Sequence, residues 1–328
     1  MTQGFLQTRI NPNWYHGHGK SAPFFEGWYY KLVSADERHA FAFIPGVFIT
    51  QNPKDTHSFV QVLDGTKGKA FYHSYPTFYA KPNAFDVQIA HNHFTETGFS
   101  LSINDEVGKI SGDVRFEDMT PMPIHPLSPG IMGYFGWLPF LECNHGIVSF
   151  DHRIIGALNI YGQEIDFTGG RGYIEKDWGT NFPSGYVWMQ TNHFSTLGTS
   201  LSASIAVIPN FGRTFPGFIV AFRHEGLLYR FATYNGAKVD TLRVNDETVN
   251  WTSYNRTHEL IIRATRAEGA TLKSPERTEM QKRVDETMKA TVNVQLNRLD
   301  GFRKTLIYQD TGRNAGLEVV GDLGMLLK

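Results

Sequence analysis

Short segments in which apolar and polar residues alternate, each closed by a turn residue, run the length of this 328-residue chain. A period of two is the signature of a half-buried β-strand, because successive side chains leave an extended backbone on opposite faces. FDVQI (85–89) puts Phe85, Val87 and Ile89 on one face, and FSLSIND (99–105) repeats the pattern before a turn. SLSASIAVIP, GFIVAFRHEG, LLYRFATYNG, ELIIRATRAEG, TVNVQLNRLDG and KTLIYQDTG follow the same grammar, with D-G, N-G or E-G at several reversals. Almost no room is left for helix. So many antiparallel strands must close or stack to hide their edges, so the expected class is all-β, as barrels or sandwiches.

Two stretches break the pattern. DMTPMPIHPLSPGIMGYFGWLPF (118–140) is rich in Pro and Gly and reads as a long crossing loop between two β units. SPERTEMQKRVDETMKA (274–290) is polar, with Pro275 after a Ser cap, and reads as a surface helix or an ordered loop. The length suits two domains, placed at 1–165 and 166–328, with the division falling there or already after 140. No exact internal repeat is visible.

The near balance of 31 Lys and Arg against 32 Asp and Glu leaves no broad electrostatic footprint for nucleic acid or an anionic membrane. Cys143, the single cysteine, excludes an internal disulfide framework and a multi-cysteine metal site. The N-terminal residues lack the apolar core of a secretory signal, and AFAFIPGVFI (40–49) is too short to span a bilayer, so a cytoplasmic location is expected and peripheral membrane contact stays open. His16 with His18, and His91 with His93, have a one-apart spacing that puts two imidazoles on one strand face. Thirteen histidines produce such pairs by chance, so no metal is expected. No Gly-rich loop opens a helix, which argues against a nucleotide cofactor, and no G-x-S-x-G elbow occurs.

Against this weakly charged background, GGRGYIEKDWG (169–179) stands out. As a strand it points Tyr173, Glu175 and Asp177 to one face and Ile174, Lys176 and Trp178 to the other. Two carboxylates side by side inside a closed barrel cannot both ionise comfortably, so one is expected to hold its proton. FFEGWYYKL (24–32) aligns Glu26, Trp28 and Tyr30, and YVWMQTNHF (186–194) aligns Trp188, Gln190 and Asn192. In LECNHGIVSFDH (141–152), Cys143, His145, Ile147, Ser149 and Asp151 share one side, and Glu142, Asn144 and His152 the other. Clustered Glu, Lys and Asp beside a turn also suit a salt-bridged rim, and Glu26 also suits a buried structural pair. Recurrence of acidic-aromatic stripes favours a site.

FFEGWYYKL, GYFGWLPFLECNHG, GYIEKDWGTNFPSGYVWMQTNHF and AGLEVVGD, in this order, resemble the tocopherol cyclase family over nearly the whole chain. The resemblance implies two lipocalin-like (calycin-type) antiparallel β-barrels and an apolar small-molecule partner, a prenylated quinol, terpenoid or carotenoid-like alkene. It implies cyclisation of a prenylated hydroquinone to a chromanol, with no redox cofactor; a hydratase or a non-catalytic lipid-binding protein are the alternatives. An acid protonates the alkene and the phenol adds to the tertiary cation. Glu175 is the expected donor, with Asp177 raising its pKa or orienting it and Glu26 as a third catalytic carboxylate. Trp28, Tyr173 and Trp188 are expected to face the cation. Trp178, Gln190, Asn192, His145 and Glu142 complete the expected binding residues. Asp177 stands where plant members carry Asn, the His145–His152 element matches them poorly, and no plastid transit peptide is recognised, which widens the range of substrates.

Overall fold

The computed structural model describes residues 5–139, 141–210 and 212–327. Two compact units divide the chain: one runs through Phe182 and takes in Thr271–Arg283, and the other comprises Pro183–Ala270 and Val284–Lys328. The expected division at 165/166 falls inside the first unit, because the strand that carries Glu175 completes the first sheet.

That sheet is built from β1 (Phe24–Val33), β2 (Ala40–Ile49), β3 (His57–Asp64), β4 (Lys69–Tyr75), β5 (Phe78–Ala80), β6 (Asp86–Ile89), β7 (Asn92–Thr95), β8 (Gly98–Asn104), β9 (Lys109–Glu117), β10 (Cys143–Ile160), β11 (Gln163–Asp166) and β12 (Arg171–Gly179). Its hydrogen-bonded order is β4-β3-β2-β1-β12-β10-β9-β8-β7-β6-β5, all neighbours antiparallel, with β11 against β10. The two ends of this path, β4 and β5, are separated in the chain only by Pro76 and Thr77, so the sheet must curl to bring them together. Ser58 Oγ tacks the seam, 3.1 Å from Tyr75 O and 2.7 Å from Thr77 O. No ladder joins β4 to β5 among the described residues, so the sheet is a curled lipocalin-like sheet rather than a fully laddered barrel. Its inner face is one apolar cluster drawn from strands all round the curl, including Trp28, Tyr30, Phe43, Val60, Val87, Leu101, Val114 and Ile174.

The second sheet, most of it in the second unit, repeats the plan. It comprises β13 (Gly185–Thr191), β14 (Ser200–Asn210), β15 (Arg213–His224), β16 (Leu227–Ala232), β17 (Lys238–Val244), β18 (Thr248–Tyr254), β19 (His258–Thr265), β20 (Ala270–Pro275), β21 (Met280–Asp300) and β22 (Arg303–Gly321). The order is β16-β15-β14-β13-β22-β21-β19-β18-β17, with β20 against β21. As in the first sheet, the opening strand pairs with the last, and the two ends of the path are close in sequence. Val187, Met189, Leu242, Trp251, Val292 and Leu317 belong to its core.

The stretch 274–290 is neither helix nor mainly loop: β21 starts at Met280 and runs on to Asp300. A buried Glu286 occupies a position where an apolar residue would have displayed the alternation, and that disguised the strand. Among its described residues the 118–140 stretch does run without strands, and Gly133–Trp137 forms a 3-10 turn within it. Strands exposed on one side keep the period of two, as in β8. By contrast, β1, β12 and β13 are buried on both faces, so polar residues on their outward face are also shielded from water.

Candidate active site

The strand β12 separates its charges as its period requires. Ile174 and Trp178 join the inner core cluster, and Lys176 shares their face. Tyr173, Glu175 and Asp177 point to the outer face, so Glu175 is not inside the curl as expected. The ladders set its neighbours: Glu175 lies between Tyr29 of β1 and Ile147 of β10, and Asp177 between Gly27 and His145. Gly27 places no side chain beside Asp177.

On this outer face four polar side chains form a continuous chain. Tyr173 donates its hydroxyl proton to Glu175 Oε2 at 2.6 Å. His145 stands with Nε2 3.6 Å from the same Oε2 and with Nδ1 2.9 Å from Asp177 Oδ1. Glu175 is 4% exposed and Tyr173 fully buried. Burial pulls the His145 imidazole down, but the charges of Asp177 and then Glu175, with the Asp177 hydrogen bond, outweigh it and push its pKa up to about 9. At neutral pH His145 is therefore an imidazolium that donates to Asp177 and faces Glu175. The His145 ring stands between the two carboxylates. Ligand atoms of His145, Glu175 and Asp177 all lie within 4.8 Å of one another, a spacing that can hold a metal ion. Neither His16 with His18 nor His91 with His93 belongs to such a group among the described residues.

Glu26 and Trp28 face the other way, which corrects the expectation that they share a chamber with Glu175. Lys176, fully buried, donates from Nζ to Glu26 Oε1 at 2.5 Å and to Trp14 O at 2.7 Å. The His16 backbone N–H donates to Glu26 Oε2 at 2.8 Å. Burial raises the Glu26 carboxyl, but the Lys176 charge and the His16 and Lys176 hydrogen bonds more than offset it and leave it below its ordinary value. Glu26 is thus an ionised anchor for the segment around Trp14–His16. Trp28 stacks on Phe85 at 5.5 Å and Trp178 on His16 at 4.2 Å, so both indoles serve the inner core. The lysine at the centre of the E-K-D triplet is the partner of Glu26, not of its sequence neighbours.

Glu142 pairs with Arg277 and its carbonyl accepts the Thr180 amide at 2.8 Å, tying down a loop. Trp188 and Gln190 are buried on β13, on the face opposite Val187 and Met189, and Asn192 is buried just past the end of that strand, so all three go with the second sheet rather than with that of Glu175. Asn192 Oδ1 lies 2.9 Å from His193 Nδ1. On the Trp188 face the second sheet carries two carboxylates that sequence reading passed over. Glu318 is in register with both Trp188 and Glu286, and accepts the Tyr186 hydroxyl at 2.6 Å. This tyrosine–glutamate pair has the same bond as Tyr173–Glu175. The signal was available only in part, since AGLEVVGD contains Glu318 and the period places it opposite Leu317.

A family sequence model described as tocopherol cyclase-like matches residues 22–321. The chloroplastic tocopherol cyclase of Zea mays is 24% identical over 374 residues, covering 94% of this chain and 77% of that protein. Among solved structures, that of CghA with Sch210972 is similar with a TM-score of 0.58 at 11% identity, covering 92% of this chain and 89% of that one. Kievitone hydratase from Nectria haematococca is similar with a TM-score of 0.51 at 14% identity, covering 90% and 89%. The two structural likenesses concern the fold. The match over residues 22–321 decides the family: this chain belongs to the tocopherol cyclase-like family.

Proposed function

We propose that this protein is a redox-neutral cyclase that closes a chromanol ring on a prenylated hydroquinone by protonating its alkene. The observation that carries the reading is the buried Glu175 held between the Tyr173 hydroxyl and the His145 imidazolium. When an apolar substrate displaces water from this face, the ion pair loses solvation and its neutral form gains ground, so the proton moves from His145 Nε2 to Glu175. The resulting carboxylic acid gives the proton to the less substituted alkene carbon. Positive charge settles on the tertiary carbon, where the faces of Tyr29 and Tyr173 can stabilise it by about 2 kcal/mol each once dry. The phenol oxygen bonds to that carbon and its proton passes to His145 Nε2, which restores the resting charges. Atoms are conserved, no electron is transferred, and no cofactor is needed.

Water in place of the phenol would trap the same cation, so an alkene hydratase is the neighbouring reading, and a lipid-binding protein without turnover is the other. A cytoplasmic location with an apolar partner fits the chemistry. Glu175→Gln keeps the shape and an acceptor for Tyr173 but removes the acid. In single-turnover assays with a prenylated hydroquinone it is expected to cut chromanol formation by about 10²–10⁴-fold while titration shows unchanged substrate binding. Normal turnover by this variant would sink the assignment. Wild-type protein that binds the quinol and returns it unchanged would favour the carrier reading.

A further inference from the structure

From Met119 to Leu141 the chain carries no Asp, Glu, Lys or Arg, although 19% of its residues are charged. This run begins just after Asp118 and covers nearly all of the 118–140 stretch, and its apolar side chains are not all hidden. Leu127 is 77% exposed, and Ile124 and Tyr134 are exposed too. The short helix Phe5–Arg9 and the residue after it add Leu6, 67% exposed, and Ile10. Arg9 Nη1 donates to Gly136 O at 2.8 Å and Trp137 Nε1 donates to Pro126 O at 2.9 Å. These bonds draw the helix, the 3-10 turn and the Pro126–Leu127 corner into one surface of the first unit.

We propose that this surface is a docking site for the neutral, zwitterionic face of a lipid bilayer. Exposed apolar patches of this kind mark partner or membrane contacts, and three features favour lipid. The exposed side chains stand on separate turns rather than on one flat face or strand edge, so a protein partner would need a fitted pocket for each, whereas fluid hydrocarbon needs none. The stretch from Met119 to Leu141 is uncharged, and the cation that the helix adds, Arg9, is turned onto Gly136 O, so the surface offers little to an oppositely charged partner and matches a headgroup layer of no net charge. The Trp137 ring already has its N–H satisfied by Pro126 O, so the indole can enter the headgroup boundary without an unpaired donor. Among the described residues no helix is long and apolar enough to cross a membrane, so contact made by this surface would be interfacial. The inference does not depend on the chemistry proposed for Glu175.

Flotation with phosphatidylcholine vesicles tests it. The wild-type protein is expected to float with the vesicles at both low and high salt, and so is Glu175→Gln. Leu127→Asp combined with Tyr134→Asp is expected to lose most of the floated fraction while circular dichroism and Tm stay as in the wild type, since both sites are exposed. Wild-type protein left at the bottom of the gradient, or a double variant that floats equally well, overturns the proposal. So does a wild-type dimer in analytical ultracentrifugation that the double substitution converts to monomer, because the patch would then be an interface between copies.

Discussion

His145 and Asp177 face each other across the β10–β12 ladder, joined Nδ1 to Oδ1 at 2.9 Å. This bond orients the imidazole so that its other nitrogen faces Glu175. Of the charges acting on His145, that of Asp177 raises its pKa most.

Asp177→Asn keeps an acceptor for Nδ1 and removes that charge. Turnover is expected to fall with rising pH as His145 loses its proton near pH 9 in the wild type, and at lower pH in the variant. KM should change little. Rate–pH profiles, with the His145 ring titrated by NMR, measure the shift; identical alkaline limbs would exclude His145 as the proton store.

Lys176→Met leaves Glu26 as an uncompensated charge in the core. Breaking a buried pair from one side costs about 3–5 kcal/mol. Chemical denaturation should show that loss, and the double variant Lys176→Met with Glu26→Gln should recover part of it. A single variant as stable as the wild type would mean that the pair does not anchor the Trp14–His16 segment.

Acid should destabilise the first unit through two histidines that the fold keeps neutral. Burial, then the Lys176 charge, lowers His16 to about 4, and burial lowers His152 to about 3, from an ordinary 6.5. The unfolded chain takes up these protons near pH 6.5 and the folded chain only well below it. Their contribution is therefore intact above pH 6.5 and declines as pH falls toward 4 and 3, by roughly 1.4 kcal/mol per pH unit for each group. Urea unfolding from pH 7 to 4 checks this. Replacing His152 by Phe should flatten the slope, and an unchanged slope counts against its role.

Gly172→Ala should be costly although glycine there needs no special backbone angle. A Cβ at this position would fall 2.2 Å from His152 Nε2, and the ring is buried against Phe116 with centroids 4.3 Å apart. Overpacking of this kind costs about 1–3 kcal/mol. Thermal unfolding of Gly172→Ala, alone and with His152→Ala, separates the clash from other effects: the second substitution should relieve part of the loss.

The alternation of β12 was legible residue by residue, and so was the grouping of Cys143, His145 and Ile147 on β10. Beyond Ile147 the reading failed, because the ladder shifts register between Ile147 and Ser149 and again before His152, and a bulge resets which residues share a face. The common plan of the two sheets left no visible repeat, since topology depends on strand order and turn position rather than on matching residues.

The sequence by itself determined the strands, the two faces of β12 and the grouping of Glu175 with Asp177 and Tyr173, because a period of two is a local property of extended backbone. Tertiary structure alone decided which face became the core. It also assigned Lys176 to Glu26 and His145 to the two carboxylates, because those partners come from strands remote in the chain, and only the register of the closing sheet brings them within reach.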